Sequence, residues 1–126
     1  MEQLKILLVD DEHDFVATLA ERLTLRGFQV EAISSGADAL QRVRENGFSI
    51  LILDVKMPGI GGLQLLSQIK ATHPDLPIIL LTGHGSVADA EKGMGDGAFD
   101  YLMKPVDIDE LTEKIGAAAA AQKGQP

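Results

Sequence analysis

The chain has 126 residues, 11 Lys and Arg against 19 Asp and Glu, and a net charge of −8. That length suits one domain with a single core, and 45% apolar with 24% charged residues is a globular balance that excludes disorder. The scattered cations exclude a nucleic-acid surface, the apolar runs are too short for a membrane helix, and the absence of Cys excludes disulfides, a thiol nucleophile and a Cys-ligated metal.

Leu4-Lys5-Ile6-Leu7-Leu8-Val9 is nearly all apolar and ends in Asp10-Asp11, the pattern of a strand buried on both faces. Phe15, Val16, Leu19, Ala20 and Leu23 recur at helical spacing, and Gly27 stands where a helix stop belongs. Phe28, Val30 and Ala32 alternate with Gln29 and Glu31, which predicts a strand buried on one face. Ser35, with Asp38 three residues on, predicts a helix start, and Ala39, Leu40 and Val43 carry the apolar stripe to Asn46-Gly47. Ile50-Leu51-Ile52-Leu53 is a second continuous apolar strand and ends in Asp54. Met57-Pro58-Gly59-Ile60-Gly61-Gly62 reads as a loop before a helix with Leu63, Leu66 and Ile69 inward, closing near Pro74. Ile78-Ile79-Leu80-Leu81 is a third apolar strand and ends in Thr82. A weak helix follows from about Val87. Its Gly93 and Gly95 each cost roughly 1 kcal/mol against Ala, so it is expected to end near Gly93 or Met94 and to be more mobile than its neighbours. Phe99 to Met103 is a short strand before Lys104-Pro105. Asp107 caps a last helix with Glu110 at N3 and Ile108, Leu111 and Ile115 on one stripe. Ala117 to Ala121 ends that helix, giving a domain over 1–121 and a tail or linker stub over 122–126.

Five strand–helix units without a long gap predict an α/β fold, a parallel sheet covered by helices on both faces. The three all-apolar strands belong in the centre; the alternating second and the short fifth suit the edges. Short right-handed connections then favour the order 2-1-3-4-5, the flavodoxin-like doubly wound arrangement.

In such a sheet, ligands bind outside the carboxyl ends of the strands. Those ends carry Asp10, Asp11, Asp54, Thr82 and Lys104. Like charges about 4 Å apart repel by roughly 4 kcal/mol at an effective dielectric of 20, so either one carboxyl protonates or a cation sits among them. An open group of oxygen ligands favours Mg²⁺. With Lys104 on the opposite flank and the Thr82 hydroxyl nearby, the cleft suits a phosphoryl group. Asp54, at its centre, is the candidate nucleophile.

Four segments then resemble the signatures of the receiver domain of two-component response regulators: Leu7-Leu8-Val9-Asp10-Asp11-Glu12, Leu53-Asp54-Val55-Lys56-Met57-Pro58-Gly59, Leu81-Thr82-Gly83-His84-Gly85 and Tyr101-Leu102-Met103-Lys104-Pro105. The resemblance covers Leu4 to about Ala121. It implies that Asp54 accepts a phosphoryl group from a phosphohistidine on a histidine kinase or phosphotransfer protein. It implies a Mg²⁺ held by Asp10, Asp11, Asp54 and the main-chain carbonyl of Lys56, and a Lys104 paired to the phosphoryl. Thr82 and Tyr101 become switch residues, the bond before Pro105 is expected cis, and Lys56, His84 and Pro105 border the cleft. Lys56 and His84 are expected to alter hydrolysis of the phosphoaspartate. The responding face is the helix after Thr82, the strand with Tyr101 and the last helix. The implied protein is cytoplasmic and catalyses its own phosphorylation and dephosphorylation. It reads as the front of a transcriptional regulator with an output domain; the alternative is a stand-alone receiver that docks to a partner or relays phosphate. The resemblance also allows a phosphorylation-dependent homodimer.

Simpler readings compete. One of Asp10 and Asp11 can cap the first helix, Lys104 alone would be a surface lysine, Thr82 alone a β-former and Tyr101 alone partial core. Asp10-x-Glu12-x-Asp14 with Glu21 mimics a Ca²⁺ loop, but Phe15 stands where Gly is required. Gly83-x-Gly85-x-x-Ala88 mimics a dinucleotide fingerprint without the acid that should end the next strand. An aspartyl-nucleophile phosphatase needs Asp-x-Asp; Glu12 and Lys56 stand at the two positions where the second Asp would be. A binding module that never takes phosphate is the third class, and Mg²⁺ binding separates it from a receiver.

Overall fold

An all-aliphatic strand hides both faces only inside a covered parallel sheet. The computed structural model describes residues 3–45, 47–57 and 61–123, without the side chains of residues 84, 122 and 123. The predicted loop residues Pro58, Gly59 and Ile60, the helix-end residue Asn46 and the tail residues 124–126 lie outside the described residues. The elements are β1 Lys5–Val9, α1 His13–Leu25, β2 Gln29–Ile33, α2 Gly36–Glu45, β3 Ile50–Asp54, α3 Gly62–Thr72, β4 Ile78–Thr82, α4 Val87–Gly95, β5 Asp100–Met103 and α5 Ile108–Lys123, with a 3-10 turn at His84–Ser86.

All pairings are parallel and the order is β2-β1-β3-β4-β5, as the strand patterns require. Every residue of β3 and β4 is buried. Alternate side chains go to opposite faces. Leu7, Leu51, Leu53 and Leu80 pack with Val43 of α2, Leu66 and Ile69 of α3 and Ala90 of α4. Ile6, Leu8, Ile52 and Leu81 pack with Leu19 and Leu23 of α1 and Leu111 and Ile115 of α5. The predicted caps are in place: Asp107 Oδ1 accepts from Asp109 N at 2.9 Å and Glu110 N at 3.1 Å, and Ser35 Oγ accepts from Asp38 N at 3.4 Å.

Three local expectations are corrected. Ala32 is exposed rather than buried beside Val30, because edge strand β2 is only partly covered on either face. Neither Asp10 nor Asp11 caps α1. Glu12 holds the cap position without a side-chain cap bond, and Asp10 Oδ1 accepts instead from Glu12 N at 3.0 Å. Helix α4 is short but runs to Gly95. Its stop is Gly97, at φ +114°, after which Ala98 N donates to Gly93 O at 3.0 Å.

Gly93 has a packing reason. A Cβ there would lie 2.4 Å from Leu80 Cδ1 and 3.1 Å from Leu63 Cδ2, so the missing side chain lets α4 approach the sheet closely. Around Gly95 a Cβ would meet nothing within 4 Å. The two glycines should therefore respond oppositely to alanine. Gly95→Ala should stabilise by up to about 1 kcal/mol. Gly93→Ala should destabilise by roughly 1–3 kcal/mol through overpacking, despite the same propensity gain. Urea denaturation of both variants checks this.

Candidate functional site

The parallel registers Val9↔Leu53, Asp54↔Leu81 and Thr82↔Met103 bring the carboxyl ends of four strands to one edge. Pairing continues past the strands: Val55 N donates to Leu81 O at 2.9 Å and Lys104 N to Thr82 O at 2.8 Å. The backbones bearing Asp54, Thr82 and Lys104 are thus tied to one another. The Lys104–Pro105 bond is cis, as expected.

The first residue of α3 completes this frame. Gly62 N donates to Val55 O at 2.9 Å. A Cβ on Gly62 would lie 2.2 Å from Asp54 O and 2.7 Å from Val55 Cα. Only glycine lets α3 start directly against the backbone that carries Asp54.

Asp10, Asp54 and Thr82 are buried, and the Lys104 side chain is 16% exposed. Lys104 Nζ lies 2.8 Å from Asp10 Oδ2, 2.5 Å from Glu12 Oε1 and 3.7 Å from Asp54 Oδ2. The contact with Asp10 is a charge contact rather than an aligned hydrogen bond, since Asp10 Oδ2 is buried without a hydrogen-bond partner. The Phe15 ring stands over Lys104 Nζ, 4.6 Å from its centroid. Asp54 Oδ1 accepts from Lys56 N at a long 3.4 Å. The Thr82 hydroxyl donates to Gly83 O at 3.1 Å.

Burial, then the charge of Asp10 and more weakly that of Asp11, pushes the Asp54 carboxyl up from 3.8 to about 6, against the pull of Lys104 and the Lys56 N–H. Burial alone would lower the Lys104 ammonium, but its contacts with Asp10 and Glu12 outweigh that and raise it. The pocket therefore holds more negative charge than its one lysine compensates.

The structure brings Asp10, Asp54, Thr82 and Lys104 together. Asp11 is half-buried and close enough to act on Asp54, but the carboxylate oxygens that lie within 4.8 Å of one another belong to Asp10, Glu12 and Asp54. The Lys56 side chain is exposed. Tyr101 is half-buried against the core shared by α2, α3 and α4. The His84 side chain lies outside the described residues. Sequence reasoning missed Glu12, Phe15 and Gly62 as parts of the site. Glu12 was visible as a third consecutive acid, whereas Phe15 was hidden in the apolar stripe of α1 and Gly62 among loop glycines.

The oxygen-only acidic cluster of Asp10, Glu12 and Asp54, with more carboxylates than its lysine neutralises, fits a hard divalent cation. Metal-free, the charge on Asp54 costs stability. The unfolded carboxyl ionises near 3.8 and the folded one near 6, so between those values the folded state holds the extra proton. Stability falls as pH rises through that window and stays lower above it. Asp54→Asn should therefore be more stable than the parent above about pH 6, by roughly 2–3 kcal/mol, with the gap closing below about pH 4 and shrinking in Mg²⁺. Urea midpoints across that range check it. Gly62→Ala should displace Asp54, and a shift of about 1 Å can cost on the order of 10²-fold in reactivity. Its uptake of phosphoryl from a small acyl phosphate, compared with that of the parent, is the measurement.

Comparison with known proteins agrees with this geometry. Residues 6–116 match the family described as the response regulator receiver domain. The chain is 38% identical over 118 residues to an uncharacterized transcriptional regulatory protein, YkoG, of Bacillus subtilis (strain 168), covering 94% of this chain and 52% of that protein. It is 39% identical over 113 residues to the C4-dicarboxylate transport transcriptional regulatory protein DctD of Rhizobium meliloti (strain 1021), covering 90% and 25%. The chain thus spans about half or a quarter of these regulators' lengths. The crystal structure of a response regulator receiver domain protein from Clostridium thermocellum superposes with a TM-score of 0.92 at 36% identity, covering 95% of this chain and 97% of that one. Fold, strand-end chemistry and sequence match agree, and the chain belongs to the response regulator receiver domain family.

Proposed function

We propose that Asp54 is the phosphoacceptor and that the chain is the front part of a cytoplasmic transcriptional regulator, charged by a histidine kinase or phosphotransfer protein. The observation that carries this reading is the meeting of Asp10, Asp54 and Lys104 at 2.8 and 3.7 Å across one strand-end pocket. An Asp54 carboxylate oxygen attacks the phosphorus of the phosphohistidine and forms a P–O bond. The P–N bond breaks, and its electron pair stays on the ring nitrogen, which leaves as neutral imidazole when the other nitrogen is protonated. In the later discharge by hydrolysis, water attacks phosphorus, the acyl P–O bond breaks, and carboxylate and inorganic phosphate are released with a proton.

Asp10, Asp11, Asp54 and the carbonyl of Lys56 would hold Mg²⁺. When bound, it neutralises charge on the transferring phosphoryl oxygens. Lys104 orients and neutralises those oxygens from the other flank. The Thr82 hydroxyl exchanges its bond to Gly83 O for one to a phosphoryl oxygen. Tyr101, packed beside α4, follows into the vacated space, and α4, β5 and α5 pass the change to an output domain or docking partner. The relatives named as transcriptional regulatory proteins extend well beyond the matched segment, which supports an attached output.

Incubation with Mg²⁺ and acetyl phosphate should add the mass of one phosphoryl group. Asp54→Asn and chelation of the metal should each abolish the gain, and Lys104→Ala should slow it by about 10²-fold or more. A mass gain retained in Asp54→Asn would overturn the assignment.

A further inference from the structure

We infer that Glu12 is a positioning residue that holds the Lys104 ammonium away from Asp54 until a phosphoryl group competes for it. This rests on the phosphoacceptor reading of Asp54. Of the three carboxylates around Nζ, the nearest is Glu12 at 2.5 Å, and Asp54 is the farthest at 3.7 Å. The nearest is also the one least bound to the fold. The Glu12 side chain is 60% exposed, whereas that of Asp10 is wholly buried.

Glu12 and Phe15 both belong to the start of α1 and close on the ammonium with an anion and an aromatic face. Asp10 holds Glu12 in place, since its Oδ1 accepts the Glu12 N–H. A phosphoryl group on Asp54 replaces a carboxylate of one charge with an acyl phosphate of nearly two, and sets three further acceptor oxygens on the other side of the lysine. Lys104 then closes the remaining distance by giving up Glu12, whose carboxylate swings into water. The helix start therefore sets how readily the lysine is released. An exposed ion pair changes such an equilibrium by about two- to fivefold.

The test titrates the parent, Glu12→Gln, Lys104→Ala and the double variant with beryllium fluoride in excess Mg²⁺. Amide NMR shifts report binding, and the Lys104 Nζ resonance is followed without ligand. Glu12→Gln should bind beryllium fluoride about two- to fivefold tighter than the parent and move the free-state Nζ resonance. In the Lys104→Ala background the same change should have no effect, because no ammonium is left to release. An equal gain in both backgrounds, or no gain in either, overturns the inference. So does a loss of about tenfold or more in affinity for Mg²⁺ alone, which would make Glu12 part of the metal site instead. A parent that takes up no phosphoryl group from acetyl phosphate sinks the phosphoacceptor reading and this inference with it. Uptake without a Glu12 effect sinks the inference alone.

Discussion

The structure turns on an uneven balance of charge at one edge of the sheet. Asp10 and Asp54 are buried where the central strands end, and Lys104 is the cation that reaches both. Fully compensated, such a pocket would be inert. Here the carboxylates outnumber the ammonium, and burial together with the charge of Asp10 leaves Asp54 reluctant to ionise. A pocket with that imbalance gains from a divalent cation, and a cation-loaded pocket gains from an anion.

The frame that imposes this imbalance is apolar. Helices on both faces bury β3 and β4 entirely, and the extended registers between β3, β4 and β5 leave little freedom where those strands end. Gly62 places the start of α3 against the backbone of Asp54, and Gly93 seats α4 against β4. Two missing side chains, one against the backbone of Asp54 and one between α4 and β4, set the spacing of both helices on the sheet. A helix that looks weak by propensity is anchored through the residue that weakens it.

The first turn of α1 has a part in the site that helix periodicity conceals. Its apolar stripe feeds the core through Val16, Leu19 and Leu23, while Phe15 from the same turn covers the lysine. Glu12, just before it, pairs with that lysine. Events at this helix start reach Lys104 directly, without passing through the sheet.

The succession of strand and helix, the central place of the aliphatic strands, and the sheet order were legible in the sequence, because burial on two faces demands unbroken apolar runs. Asp10, Asp54, Thr82 and Lys104 were legible for a related reason: each interrupts such a run where the strand leaves the core. Local signals failed where a neighbour in space decided the outcome. Ala32 has the right spacing for burial but sits on an edge with too little cover. Gly93 reads as a helix breaker until Leu80 is placed 2.4 Å from its absent Cβ. Glu12, rather than Asp11, stands nearest the lysine because side-chain reach across the gap between β1 and β5 depends on the packed sheet. Composition and periodicity determine which residues are buried and which strand ends are polar. Only the tertiary packing, which sets distances of a few ångströms between residues far apart in the chain, decided which charges meet.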